Sequence, residues 1–226
     1  MENFNLEGNT VRDLNQALHQ DSAENAEFTV NNPNGKHSIA VGAMYQSTVT
    51  IDGHAGYYCG GMNQNANIVI NGNTGSGCAE NIMSGSVRVK GNASQYCAAT
   101  GQGGLVVVEG DTSSRCGISM KGVDIVVGGS IGNLSAFMAQ SGCLVVCGDA
   151  GEALGDSAYE ARFYVGGKVA SLGADCIEKP MEDEHRAQLK ELLEAAGMGD
   201  VDTSGFKRYG SARRLYNFNI DNAGEY

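Results

Sequence analysis

The hydrophobic residues of this chain recur as short runs at a fixed interval. The segments VTIDG, IVING, VRVKG, VVVEG, IVVGG, LVVCG and FYVGG each alternate apolar, variable and apolar positions and end in glycine. Those glycines are Gly53, Gly72, Gly91, Gly110, Gly129, Gly148 and Gly167, each 19 residues after the last. Small residues return three and seven positions later, as Gly56 and Gly60 or Gly151 and Gly155, with Ser or Ala in other copies. An earlier copy is read at Gly35, Ser38 and Gly42, 18 residues before Gly53 and so displaced by one.

A 19-residue unit is too short to enclose a core, so the copies must stack on one another. Stacked strands lie about 4.8 Å apart. Equivalent positions then form two ladders, Val49–Ile68–Val87–Val106–Ile125–Leu144–Phe163 and Ile51–Ile70–Val89–Val108–Val127–Val146–Val165. The ladders are two residues apart in each strand, so both face the interior. The glycine that ends each strand lets the chain turn where a Cβ would clash. A helical repeat is disfavoured, because apolar runs of three rich in Val and Ile alternate with glycines that each cost a helix about 1 kcal/mol. A left-handed hexapeptide β-helix needs a period of six, which this repeat lacks. The pattern predicts an all-β, right-handed parallel β-helix over residues 28–176, with seven to eight coils.

The ends break the rhythm. Residues 1–27 form a lead-in in which NTVRDLNQALHQ predicts a short helix, capped by Asn9 or Thr10, with Val11, Leu14 and Leu18 on one face. Residues 177–226 predict a helix over about 180–196, with Pro180 in its first turn and Gly197 as its stop. His185, Leu189, Leu192, Leu193 and Ala196 share one face of it. After it comes a basic and aromatic tail.

Two surface features suggest contacts. The middle residue of each strand points outward. At Val107, Val126, Val145 and Tyr164 this makes an apolar stripe, which a monomer seldom leaves wet. Either the terminal segments or a partner covers it, and it is taken here as a candidate interface. The tail between Gly205 and Tyr216 carries Lys207, Arg208, Arg213 and Arg214 with no acidic residue. With Tyr216 and its other aromatics it reads as a docking arm for another subunit, the alternatives being a tail packed on its own acidic body and a nucleic-acid contact.

Composition narrows the function classes. The formal charge of −11 disfavours nucleic acid as a partner. No apolar stretch is long enough to span a bilayer, and the N-terminus shows no signal-peptide pattern. Seven cysteines without an export signal read as reduced thiols in a cytoplasmic protein. Glycine strings such as GGSIGN lack the Gly-Lys-Ser/Thr of a phosphate loop, and the four histidines share no ligand spacing.

Four cysteines, Cys59, Cys78, Cys97 and Cys116, follow the same 19-residue rhythm. In stacked coils the outer two lie about 14 Å apart. Sulfurs around one zinc lie within about 4.6 Å of one another, so a single four-thiolate site is excluded. Disulfides between neighbours are strained, because stacked side chains run parallel. The same column is read as continuing through Val41, Ser135 and Leu154, which suits an inert apolar stack. A thiol or metal function for the ladder is the alternative. No catalytic, cofactor-binding or metal-binding residue is assigned.

The Gly-x-x-Gly-x-x-x-Gly repeat beside a short strand resembles the β-helix domain of the glutamate synthase large subunit. The resemblance covers residues 10–176, including NTVRDLNQAL and MNQNANIVINGNTG. There is no N-terminal nucleophile cysteine for a glutaminase and no FMN-binding barrel. The chain therefore looks like a stand-alone β-helix subunit, most similar to the middle subunit of N-methylglutamate synthase. The β-helix subunit of formylmethanofuran dehydrogenase is a similar module and an alternative. The resemblance implies a non-catalytic scaffold between a glutamine amidotransferase subunit and a synthase subunit that carries FMN and an iron–sulfur cluster. It implies no cofactor on this chain.

Overall fold

The computed structural model describes residues 2–212. Nine parallel strands form one wall: β1 (Glu2–Asn5), β2 (Glu27–Asn31), β3 (Thr48–Asp52), β4 (Asn67–Ile70), β5 (Ser86–Val89), β6 (Leu105–Val108), β7 (Asp124–Val127), β8 (Cys143–Val146) and β9 (Arg162–Val165). The chain is a β-solenoid of stacked parallel coils. Register follows the repeat: Val49 pairs with Ile68, Ile68 with Val87, Val87 with Val106 and Val106 with Ile125. Both predicted ladders are buried in one continuous core. A second, shorter line of parallel bridges links Ala55, Thr74, Ala93 and Thr112 across successive coils.

The first coil departs from the predicted register. Gly35 N donates to His54 O, just as Ala55 N donates to Asn73 O and Thr74 N to Asn92 O. Gly35 therefore aligns with Ala55, not with Gly53. By the same ladder Gly60 N donates to Ile39 O, as Ala79 N does to Cys59 O. Ile39, fully buried, heads the cysteine column, and half-buried Val41 does not. The first coil is longer than the rest, since Phe28 pairs with Val49. Counting back by 19 therefore slips its register.

Helix α1 (Val11–Leu18) closes the N-terminal end of the core with Leu14 and Leu18. Thr10 caps it: its Oγ1 accepts from Asp13 N, and Asp13 Oδ2 accepts from Thr10 N, a reciprocal box. At the other end, strands β10 (Cys176–Lys179) and β11 (Lys207–Ser211) flank helix α2 (Asp183–Ala195). Strand β11 inserts antiparallel between β9 and β10. Helix α2 starts later than predicted, with Glu182 as its cap, so Pro180 stands before the helix. Its end is a left-handed glycine closure: Gly197 has φ of 68°, Gly197 N donates to Glu194 O, and Met198 N to Leu193 O.

Candidate interaction surface

The outer valine stripe is not an open interface. Helix α2 lies across it, and Val107, Val126, Val145 and Tyr164 form a second cluster with Leu189, Leu192, Leu193, Ala196 and Phe206. Val126 and Val145 are fully buried there. The chain covers its own stripe with the apolar face of α2 read from its spacing. Polar groups pin the helix. Gln188 Oε1 accepts from Tyr164 Oη and Arg162 Nη1, and Arg88 Nη2 donates to Ala196 O at the C-terminal end of α2. A cation there meets the negative end of the helix dipole.

The start of the basic tail is likewise spent within the chain. Lys207 and Arg208 belong to β11, where Lys207 Nζ lies 3.0 Å from Glu178 Oε2 and Arg208 Nε donates to Pro180 O. The reading of these two residues as a free docking arm is corrected accordingly. Arg213, Arg214 and Tyr216 lie outside the described residues.

The glycine column has a physical reason that the repeat only hinted at. A side-chain oxygen from the preceding coil fills the space at the corner. Asn92 Oδ1 accepts from Asp111 N, and a Cβ on Gly110 would sit 2.1 Å from that oxygen. Asn73, Asp111, Ser130 and Asp149 repeat the bond to the backbone one coil on, and His54 Nδ1 begins the series. Its signal in the sequence is the polar residue after each glycine, short at Asn73, Asn92, Asp111, Ser130 and Asp149.

The thiol ladder is interior. Cys59, Cys78, Cys97 and Cys116 are free and fully buried. Burial pushes the Cys59 thiol well up, while hydrogen bonding with Cys116 and Cys78, together with burial, raises Cys97. Burial also takes Cys143 up to about 12 and Cys176 up to about 11. Only Cys147 of the seven is half-exposed. An aromatic disulfide reagent at pH 8 should therefore titrate about one thiol quickly in native protein, and all seven after denaturation. Rapid reaction of four or more in the native state would contradict a closed core.

What remains open is the turn segment that follows each bridge. Tyr57 and Tyr58 are each 51% exposed and Met62 is 47%; Met44, Met83 and Met138 are also exposed. Backbone hydrogen bonds carry the register here too: Met62 N donates to Glu80 O, Asn81 N to Ala99 O, Thr100 N to Ile118 O and Ser119 N to Phe137 O. One column therefore runs Glu80–Ala99–Ile118–Phe137, and a neighbouring one runs Tyr58–Gly77–Tyr96–Arg115. The guanidinium of Arg115 lies 5.7 Å from the centre of the Tyr96 ring. Two shallow grooves of about 350 and 360 Å³ meet at Tyr58 and Glu80. Tyr and Met exposed side by side are the composition of a protein contact.

No family model matches the chain. It is 56% identical over 218 residues to Protein GlxC of Rhizobium meliloti (strain 1021), covering 96% of each chain. The chain belongs to the GlxC family. Throughout this GlxC-family chain, among the described residues, no helix is long and apolar enough to cross a membrane. Sequence reasoning missed its Tyr58 face. The signal was present, since Tyr58 and Tyr96 directly precede the ladder residues Cys59 and Cys97. The neighbour of an inward side chain points out, which leaves Tyr58 exposed and Tyr96 half-buried.

Proposed function

We propose that this GlxC-family chain is the β-helix scaffold subunit of a glutamate-synthase-type complex, N-methylglutamate synthase being the best fit. In this reading it holds a glutamine amidotransferase subunit and an FMN-dependent, iron–sulfur synthase subunit in fixed relation, and carries no cofactor itself. It acts in the cytoplasm. The observation that carries the proposal is the aromatic and methionine face displayed on a stacked, continuous core. A solenoid with one core along its whole length is a stiff spacer, because each coil is bonded to both neighbours. Eight coils at about 4.8 Å span roughly 35 Å, enough to separate two bound domains. The resemblance to the glutamate synthase β-helix, and the end-to-end match to Protein GlxC, support a glutamate-synthase-type subunit.

The test is affinity purification of the tagged chain from its native host, with the retained proteins identified by mass spectrometry. Stoichiometric amidotransferase and flavoprotein subunits, with glutamine-dependent amine transfer in the eluate, are expected. A chain that runs alone and monodisperse would overturn the scaffold reading. Formylmethanofuran dehydrogenase-type partners would move it to the other β-helix complex.

A further inference from the structure

We propose that the groove between Tyr58, Glu80 and Tyr96 is the docking site for an extended segment of a partner subunit that inserts a lysine or arginine side chain. The proposal rests on the reading of the chain as one subunit of an assembly, and names the contact.

The column Tyr58–Gly77–Tyr96–Arg115 is continuous in the backbone. Tyr58 N donates to Ser76 O, Gly77 N to Gln95 O, Tyr96 N to Ser114 O and Arg115 N to Asn133 O. Tyr58 and Tyr96 are thus two coils apart, about 10 Å, and the rung between them is a glycine with no side chain. The Tyr58 ring leans over that glycine, with Tyr96 one coil further on. A Cβ on Gly77 would sit 2.6 Å from Tyr58 Cδ1 and 2.9 Å from Glu80 Oε2, so the Tyr58 ring and the Glu80 carboxylate already cover this buried rung. The ring and the carboxylate converge on the same point. Gly77, Glu80, Tyr57, Tyr58 and Tyr96 line the resulting groove of about 360 Å³.

The chemistry of the groove selects a cation. The Glu80 side chain makes no hydrogen bond or ion pair among the described residues, and partial burial raises its pKa. A cation entering beside it would offset that desolvation. Tyrosines line the groove, and aromatic faces attract guanidinium and ammonium groups. One rung further on the column already shows the pairing: Arg115 lies over Tyr96, with Nη1 3.4 Å from the Tyr96 hydroxyl. A partner cation lying in the groove beside Glu80 and against the Tyr58 ring would repeat that arrangement. The exposed Met62 and half-buried Val41 in the adjoining groove would receive apolar residues beside the cation.

The test uses the complex purified from the native host, with the full chain carrying Glu80→Gln, Tyr58→Ala or, as a control away from the groove, Asp202→Asn. Affinity of each variant for the purified partner subunits is measured at low and moderate salt. Glu80→Gln is nearly isosteric on a half-exposed position, so it should fold. It is expected to weaken the contact about tenfold and to flatten its salt dependence. Tyr58→Ala should weaken it by a similar factor at both salt concentrations. Zero-length carbodiimide coupling should join Glu80 to a partner lysine if the inserted group is an amine, and guanidinium insertion should instead leave the affinity pattern alone as the readout. Partners retained by both groove variants with unchanged affinity would overturn the docking site while leaving the scaffold reading intact. Partners of another enzyme class, bound in a Glu80-dependent way, would support the site and overturn the choice of complex. A chain with no partner would overturn both.

Discussion

Replacing Val126 by aspartate should cost about 4 kcal/mol or more and release α2 from the sheet. Val126 is fully buried between the wall and the helix, in the cluster with Leu189, Leu193 and Tyr164. A carboxylate there would lose the apolar contact and sit without a cation, and an unpaired buried charge costs several kcal/mol. The helix cluster lies outside the interior core, so the damage has a local route out. Helix α2 can undock while the coils stay stacked. Urea titration should therefore lose cooperativity or midpoint, and limited proteolysis should open sites between Met181 and Met198 while far-ultraviolet dichroism keeps its β signature. The matched control is Thr50→Asp, at the equivalent outward position of β3, which is half-buried and outside that cluster. Its expected cost is below about 1 kcal/mol. Equal losses at the two positions would mean that α2 does not hold the stripe.

The second large effect is expected at the corner glycines. Gly110→Val should destabilise by roughly 3 kcal/mol. Its Cβ would lie 2.1 Å from Asn92 Oδ1 and 2.9 Å from the Gly91 carbonyl oxygen of the previous coil. The side chain can swing away only by giving up its bond to Asp111 N. The backbone can retreat only by prising two coils apart. Overpacking of this kind costs about 1–3 kcal/mol, and the lost hydrogen bond about 1 more. Gly8→Ala is the comparison, since a Cβ there meets nothing within 4 Å. Thermal melts of the two variants decide the matter. A Gly110→Val protein that melts with wild type would show that the corner has slack the packing does not reveal.

Both predictions come from parts of the molecule that were unequally legible. The repeat was readable because each coil meets only its neighbours, so one structural demand recurs at one sequence interval. Val49, Ile68 and Val87 had to be apolar for the same reason, and the core ladders follow from that alone. The cysteine column was readable the same way, apart from its first member, where a longer coil put Ile39 in the place assigned to Val41. The amphipathic face of α2 was also plain from its spacing.

Contacts between unlike segments were not readable. Val107 to Tyr164 announced an apolar stripe, but periodicity inside the coils carries no information about what lies over them. The answer depended on where β10 leaves the solenoid and on β11 returning between β9 and β10. That strand turned Lys207 and Arg208 from a basic tail into part of the sheet. In the same way the groove at Tyr58, Glu80 and Tyr96 exists only because stacking brings three coils together. The amino-acid order by itself determined the coil, its inward ladders and the two helices, since these rest on local conformation and nearest-neighbour burial. Tertiary structure alone decided which face stays open, because burial of an outward side chain is settled by segments far away in the chain.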